Sequence, residues 1–117
     1  MGWSEDVGES GVLMGTNYYY TGPILDTSHC EDGKLHIGKQ SAGWAFIFHS
    51  QEVEGRPLRI VVNFKLLLGS HGALIEDEYG VACSYSEFWE MVERTKDRRQ
   101  QFDYVSEGYC FILEDFS

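Results

Sequence analysis

From residue 14 onward the chain alternates short apolar runs with polar, glycine-marked breaks, the pattern of an α+β domain built on brief strands. Residues 17–21, NYYYT, have strong strand propensity, and Gly22-Pro23 ends them. Residues 26–34, DTSHCEDGK, form a polar loop. Residues 35–50, LHIGKQSAGWAFIFHS, read as two strands around a turn of small residues. With Ser41-Ala42 at the tip, Ile37 faces Phe46 and Leu35 faces Phe48, and with Trp44 they make one apolar face. His36 then lies opposite Ile47 on the other face. His49 is its diagonal neighbour, about 7–8 Å away between backbones. A register slip of one residue would undo this alignment.

Farther along, PLRIVV (57–62) reads as a strand. NFKLLLG (63–69) reads as a short helix capped near Asn63 and ended by Gly69. Residues 72–83 read as a strand entering a turn at Glu78-Tyr79-Gly80. The clearest helix spans Tyr85 to Asp97. Ser84-x-x-Glu87 matches a capping box, and Phe88, Met91, Val92 and Thr95 repeat at helical spacing. Glu87, Glu90 and Glu93 come early and Arg94, Lys96, Arg98 and Arg99 late, which complements the helix dipole. The basic residues read as a solvated helix end. FDYVSEGYCFILEDF (102–116) supplies one or two terminal strands. The expected architecture is a single α+β domain over residues 14–117, an antiparallel sheet with one main and one short helix. A loose acidic extension, residues 1–13, precedes it.

Length and composition agree with this picture. A chain of 117 residues suits one compact domain, and 43% hydrophobic and 15% aromatic content suit a packed core. The net charge of −10 argues against direct nucleic-acid binding, which needs a basic surface. It favours attraction to basic protein surfaces, including those that normally hold nucleic acid. Cys30, Cys83 and Cys110 are odd in number and make no CxxC, and the N-terminus lacks the apolar stretch of a secretory signal. A cytoplasmic location is therefore expected. No apolar run approaches the roughly 18 residues needed to cross a membrane.

Four constellations carry candidate chemistry. His29, Cys30, His36 and His49, with Asp26 as a further ligand, form a set able to hold zinc, since neutral imidazole and thiolate are its normal ligands. Gly33-x-x-x-x-Gly38-Lys39 matches the first part of a phosphate-binding loop. Gln40 stands where the magnesium-binding hydroxyl belongs, and strands lie on both sides. That excludes a nucleotide triphosphatase and leaves a small anionic ligand touching Lys39, turn amides and tyrosines. Glu76-Asp77-Glu78 reads as a solvated acidic edge that discourages aggregation. Cys83 and Cys110 read as core residues, and no catalytic triad motif is present. The aromatic set Tyr18, Tyr19, Tyr20 and Trp44 lacks the positive field that base-stacking sites need.

MGTNYYY (14–20), LHIGKQSAGWAFIFH (35–49), ALIEDEYG (73–80) and GYCFILEDFS (108–117) stand in the same order as the motifs of a family of small bacteriophage proteins without an assigned activity. The chain resembles that family over about residues 14–117, most specifically in LHIGK-x-SAGW. The family's CxxC followed by two hairpin histidines resembles a zinc knuckle, which implies one structural zinc. Here DTSHC replaces the cysteine pair. Either Cys30 keeps one thiolate with Thr27 in place of the other, or Asp26-x-x-His29 substitutes oxygen and nitrogen ligands, or the zinc is lost and ordinary packing holds the hairpin.

The resemblance implies a phage protein acting in the host cell cytoplasm. Small acidic phage proteins without catalytic motifs suit the inhibition of a host defence protein, as anti-CRISPR proteins do, by occupying its basic surface. On this reading Glu76, Asp77 and Glu78 contact the partner. The competing expectations are a binder of a small anionic ligand using the 35–49 hairpin, a structural zinc module with another role, and a metal enzyme using His36 and His49.

Overall fold

A computed structural model describes residues 15–22 and 33–113. In chain order the elements are β1 (Thr16–Thr21), β2 (Leu35–Gln40), β3 (Ile47–His49), β4 (Gln51–Val53), β5 (Arg56–Leu58), α1 (Val61–Leu68), β6 (Leu74–Asp77), β7 (Ala82–Cys83), α2 (Tyr85–Thr95), β8 (Tyr104–Ser106) and β9 (Tyr109–Ile112). The fold is α+β with one main and one short helix. Seven strands form one sheet in the order β7-β6-β1-β2-β3-β9-β8, and β4 and β5 form a separate hairpin.

The sheet is mixed rather than wholly antiparallel, because β3 and β9 run parallel. Parallel neighbours need a long crossover. Here that crossover is about half of the chain, since both helices lie between β3 and β9. Of the strand expected over 57–62 only Pro57 and Leu58 are strand, in β5, while Val61 and Val62 begin α1; its hairpin partner β4 was not read in the sequence. The hairpin turns on Glu54 (φ 55°) and Gly55 (φ 76°), both left-handed as a two-residue type I′ loop requires.

One face of the large sheet carries the core. Tyr20, Leu35, Ile37, Phe46, Phe48 and Phe111 pack against Val61, Phe64, Leu67 and Leu68 of α1 and Phe88, Trp89, Met91 and Val92 of α2. Phe48 is its centre, with ring centroids 4.8 Å from Phe46, 4.9 Å from Phe64, 5.3 Å from Phe111 and 5.8 Å from Trp89. Trp44 is outside this cluster, half-buried, with the Arg99 guanidinium 5.2 Å from its ring.

The helices form for the reasons the sequence suggests, with shifted ends. Ser84 Oγ accepts from the Glu87 amide and Glu87 Oε1 accepts from the Ser84 amide, both at 3.0 Å. This reciprocal box starts α2. α1 begins at Val61, two residues before the expected cap. Asn63 acts from inside the first turn, its Oδ1 accepting from the Arg59 and Ile60 amides at 3.0 and 3.1 Å. Gly69 follows α1 with φ −91°, so the helix does not end on a left-handed glycine.

The β2–β3 register differs from expectation. Gly38 pairs with Phe48 and Lys39 with Ile47, so Ile37 does not face Phe46 and His36 is not opposite Ile47. The reason lies in the connection, which is six residues rather than a tight tip. Its first turn closes with the Trp44 amide on the Ser41 carbonyl at 3.0 Å. The rest is held by the last residue of α2 and the segment that follows it. The Ala45 amide bonds the Arg99 carbonyl, Gln100 Nε2 donates to the Ala45 carbonyl, and the Phe46 amide donates to Thr95 Oγ1.

Candidate functional site

The sheet face away from the helices carries the polar residues that the sequence singles out. Along β1, Asn17 and Tyr19 alternate with the core-facing Tyr18 and Tyr20. Between β1 and β2 the pairing shifts by one. Tyr18 pairs with Gly38 but Tyr19 pairs with His36, so Ile37 is an extra residue on β2. This bulge lets Ile37 and Gly38 both turn toward the core and returns His36 to the outer face. His49, next to the core-facing Phe48, is also on the outer face. The two imidazole centroids are 5.5 Å apart. The histidines are therefore neighbours, as the sequence suggests, but through a bulge rather than the expected register.

Around them the hydrogen bonding has a direction. Glu78 Oε1 accepts from the Asn17 amide at 2.7 Å and from Asn17 Nδ2 at 3.0 Å. A carboxylate only accepts, so it fixes which end of the Asn17 amide faces it. Asn17 Oδ1 then faces His36 Nε2 at 2.9 Å, and that nitrogen must carry the proton. The Tyr19 ring lies 5.3 Å from the His36 ring. Gln51 Nε2 donates to the His36 and His49 carbonyls at 2.7 and 3.1 Å, tying the strands below the histidines. Beside this polar group lies a small apolar one, Ala45, Ile47 and Cys110 with Ile112 packed against them.

The acidic run is distributed over structural tasks. Glu76 pairs with Lys34 at 2.7 Å. Asp77 Oδ1 accepts from the Tyr79 and Val81 amides at 2.9 Å, closing the β6–β7 turn. Glu78 holds Asn17. None of the three is simply a solvated edge charge.

The remaining candidates are placed as follows. Lys39 lies on β2 between Asn17 and Ile47, half-buried. Gly38 lies within the strand and not in a phosphate-binding loop. A Cβ there would strike the Ile47 carbonyl oxygen and the Phe46 ring. Cys110 is buried and Cys83 half-buried, and burial pushes both thiols up, with Glu87 and Asp77 adding to the effect at Cys83. Neither is an activated nucleophile. Asp26, His29 and Cys30 lie outside the described residues. Among the described residues no cluster of three or more His, Cys, Asp and Glu is arranged to hold a metal ion, and no helix is long and apolar enough to cross a membrane.

Sequence reasoning missed Asn17, Tyr19 and Lys34 as members of this site. The signal for the first two was present in the two-residue alternation of β1 opposite His36.

Charge is unevenly divided along the chain. Every lysine and arginine lies among the described residues, whereas Glu5, Asp6, Glu9, Asp26, Glu31, Asp32, Glu114 and Asp115 do not. The described fold is therefore nearly balanced, and most of the net −10 comes from residues 1–14, 23–32 and 114–117. Compared with family models, curated proteins and solved structures, the chain gives no match.

Proposed function

We propose that this chain is a phage-encoded inhibitor of a host defence system, of the anti-CRISPR kind, that binds a host protein stoichiometrically. The observation that supports this reading is the division of charge. A nearly neutral scaffold carries concentrated acidic segments, a composition suited to attraction toward a basic, nucleic-acid-binding surface. The acidic segments outside the described residues, rather than Glu76, Asp77 and Glu78 alone, are assigned most of that attraction, because those three carboxylates already hold fold contacts. The test is phage plating on bacteria with an active, phage-targeting defence system. Expression of this chain restores plating, and purified chain competes with nucleic acid for the isolated effector. Failure to restore plating against a panel of defence systems would sink the reading.

A second reading is favoured by the histidine pair. The His36 and His49 ring centroids are 5.5 Å apart, a closeness that supports proposing them as two of four zinc ligands, with His29 and Cys30 (Asp26 as a further candidate) as the others. His36 Nε2 is engaged by Asn17, so His36 would ligate through Nδ1. The zinc would be structural, clamping the outer sheet face. Elemental analysis giving one zinc per chain, lost in His49→Ala, is the expected result. A metal-free protein of unchanged stability counts against it.

A further inference from the structure

The three acidic segments join the sheet at different ends. Thr16 pairs with Gln40, so residues 1–14 meet the fold beside the β2–β3 connection. A Cβ on Gly15 would strike Ser41 Oγ, the Gln40 carbonyl and Lys39 Cε. Residues 23–32 lie between β1 and β2, past the pairs Tyr20–Leu35 and Thr21–Leu74. Residues 114–117 follow β9, whose Ile112 pairs with His49. Both of these segments belong to the opposite end. The end where residues 1–14 join is also basic. Arg99 is exposed, its carbonyl accepts from the Ala45 amide, and its guanidinium lies 5.2 Å from the Trp44 ring. Arg98 beside it and Arg94 one turn earlier are exposed, and Lys39 flanks Gly15. Among the described residues none of these four cations forms an ion pair. Lys96 is set apart, its ammonium 4.6 Å from the Tyr109 ring centroid. Of the nearby carboxylates, Glu93 accepts from Tyr109, Asp77 from the Tyr79 and Val81 amides and Glu78 from Asn17, while Asp97 offsets one charge.

We propose that the basic surface of Lys39, Trp44, Arg98 and Arg99 is the docking site of this chain's own residues 5–9, EDVGE, whose carboxylates pair with its guanidinium and ammonium groups. Charge, place and reach select this occupant. Residues 1–14 carry Glu5, Asp6 and Glu9 and no lysine or arginine. Of the three acidic segments they alone join the fold at the basic end. Glu9 is six and Glu5 ten residues before Gly15. At up to about 3.3–3.6 Å per residue, the run spans the single turn that separates Gly15 and Ser41 from Trp44 and Arg99. Exposed ion pairs are individually weak. A tether of this length holds the carboxylates at a local concentration on the order of millimolar, an advantage that a separate acidic partner lacks. The contact is built from surface charges, so it is reversible and screened by salt. One consequence rests on the inhibitor reading above: a basic partner must take residues 5–9 from Lys39, Arg98 and Arg99, so the scaffold holds the attracting segment until a stronger basic surface displaces it.

Nitrogen NMR of the full chain, with no partner present, tests the docking itself. The native chain is compared with the triple variant Glu5→Gln, Asp6→Asn, Glu9→Gln at about 0.01 M and about 1 M salt, where charges are screened within about 30 and 3 Å. The Trp44 indole and the Arg98 and Arg99 side-chain signals should shift at low salt, and the shift should be lost at high salt. Arg98→Gln with Arg99→Gln should in turn move the amide signals of residues 5–9. Two control pairs, Glu31→Gln with Asp32→Asn and Glu114→Gln with Asp115→Asn, should leave the Trp44, Arg98 and Arg99 signals in place. Unmoved amide signals from α1 and β6 establish that each variant is folded. The proposal is overturned if the triple variant leaves Trp44 and both arginines unmoved at low salt. It is equally overturned if either control pair moves them as far as the triple variant does.

Discussion

At the scale of single residues, two positions in the 35–49 segment carry more than their types suggest. Gly38 suggests a phosphate-loop glycine, but its role is contact. A Cβ there meets a carbonyl oxygen and an aromatic ring that are both fixed in the core. Gly38→Ala is expected to lower stability by about 3 kcal/mol, the upper range for overpacking a tight site, measurable by denaturant unfolding. Asn17 is the second. Glu78 orients its amide, and the amide sets the His36 proton on Nε2. Nitrogen chemical shifts of the His36 ring should report the Nε2–H form, and Glu78→Ala should broaden or mix the two tautomers. Asn17→Ala should also cost about 1–2 kcal/mol, because a buried hydrogen-bonding relay is interrupted. The two histidines as neighbours were legible in the sequence. Their relay was not, because it runs from a turn carboxylate through a different strand, and nothing in the spacing of residues 17, 36 and 78 announces it.

Elements were legible where a local rule decides them. The capping box and apolar stripe identify α2, and the glycine-marked runs identify β6 with its turn and strand structure at the C-terminal end, where the reading of one or two strands resolves into β8 and β9. Long-range events set what was misread. The β2–β3 register depends on Thr95, Arg99 and Gln100, half a chain away, and the parallel β3–β9 pair depends on where the crossover returns. α2 also shows how one element answers pH at both ends. Hydrogen bonds to the Ser84 backbone and hydroxyl hold the Glu87 carboxyl below its usual range. A depressed carboxyl stabilises when ionised, so this contribution is present above the ordinary glutamate range and is lost as pH falls through the folded value. Near the other end, the Tyr109 hydroxyl donates to Glu93. Burial first, and then Glu93, push its pKa up to about 12. That contribution is complete below the unfolded tyrosine value of about 10 and is lost as pH rises toward 12. Thermal melts across pH should therefore fall in acid and again in alkali. Ser84→Ala should flatten part of the acid limb and cost about 1 kcal/mol at neutral pH. Tyr109→Phe should flatten part of the alkaline limb.

For the whole molecule, the decisive property is where charge sits relative to fold. Composition gives the net −10, but not that the described residues are nearly neutral, because a formal net charge does not say where along the chain the charges fall. This division separates two substitution sets that a sequence reading would treat alike. Reversing Glu76, Asp77 and Glu78 to lysine breaks the Lys34 pair, the β6–β7 turn and the Asn17 anchor. Its first effect should be lost stability, about 2–4 kcal/mol when several such contacts go together, with binding reduced only as far as folding is. Neutralising Glu5, Asp6 and Glu9 to their amides touches none of these contacts. It should weaken binding to a basic partner and reduce its salt dependence, because long-range attraction scales with the charges removed and is screened within about 10 Å at 0.1 M salt. Binding measured at several ionic strengths, alongside unfolding of each variant, separates the two. If the amide variant binds with an unchanged salt slope while the lysine variant stays fully stable and loses binding, then the β6 carboxylates are the contact surface and the terminal charge serves solubility alone.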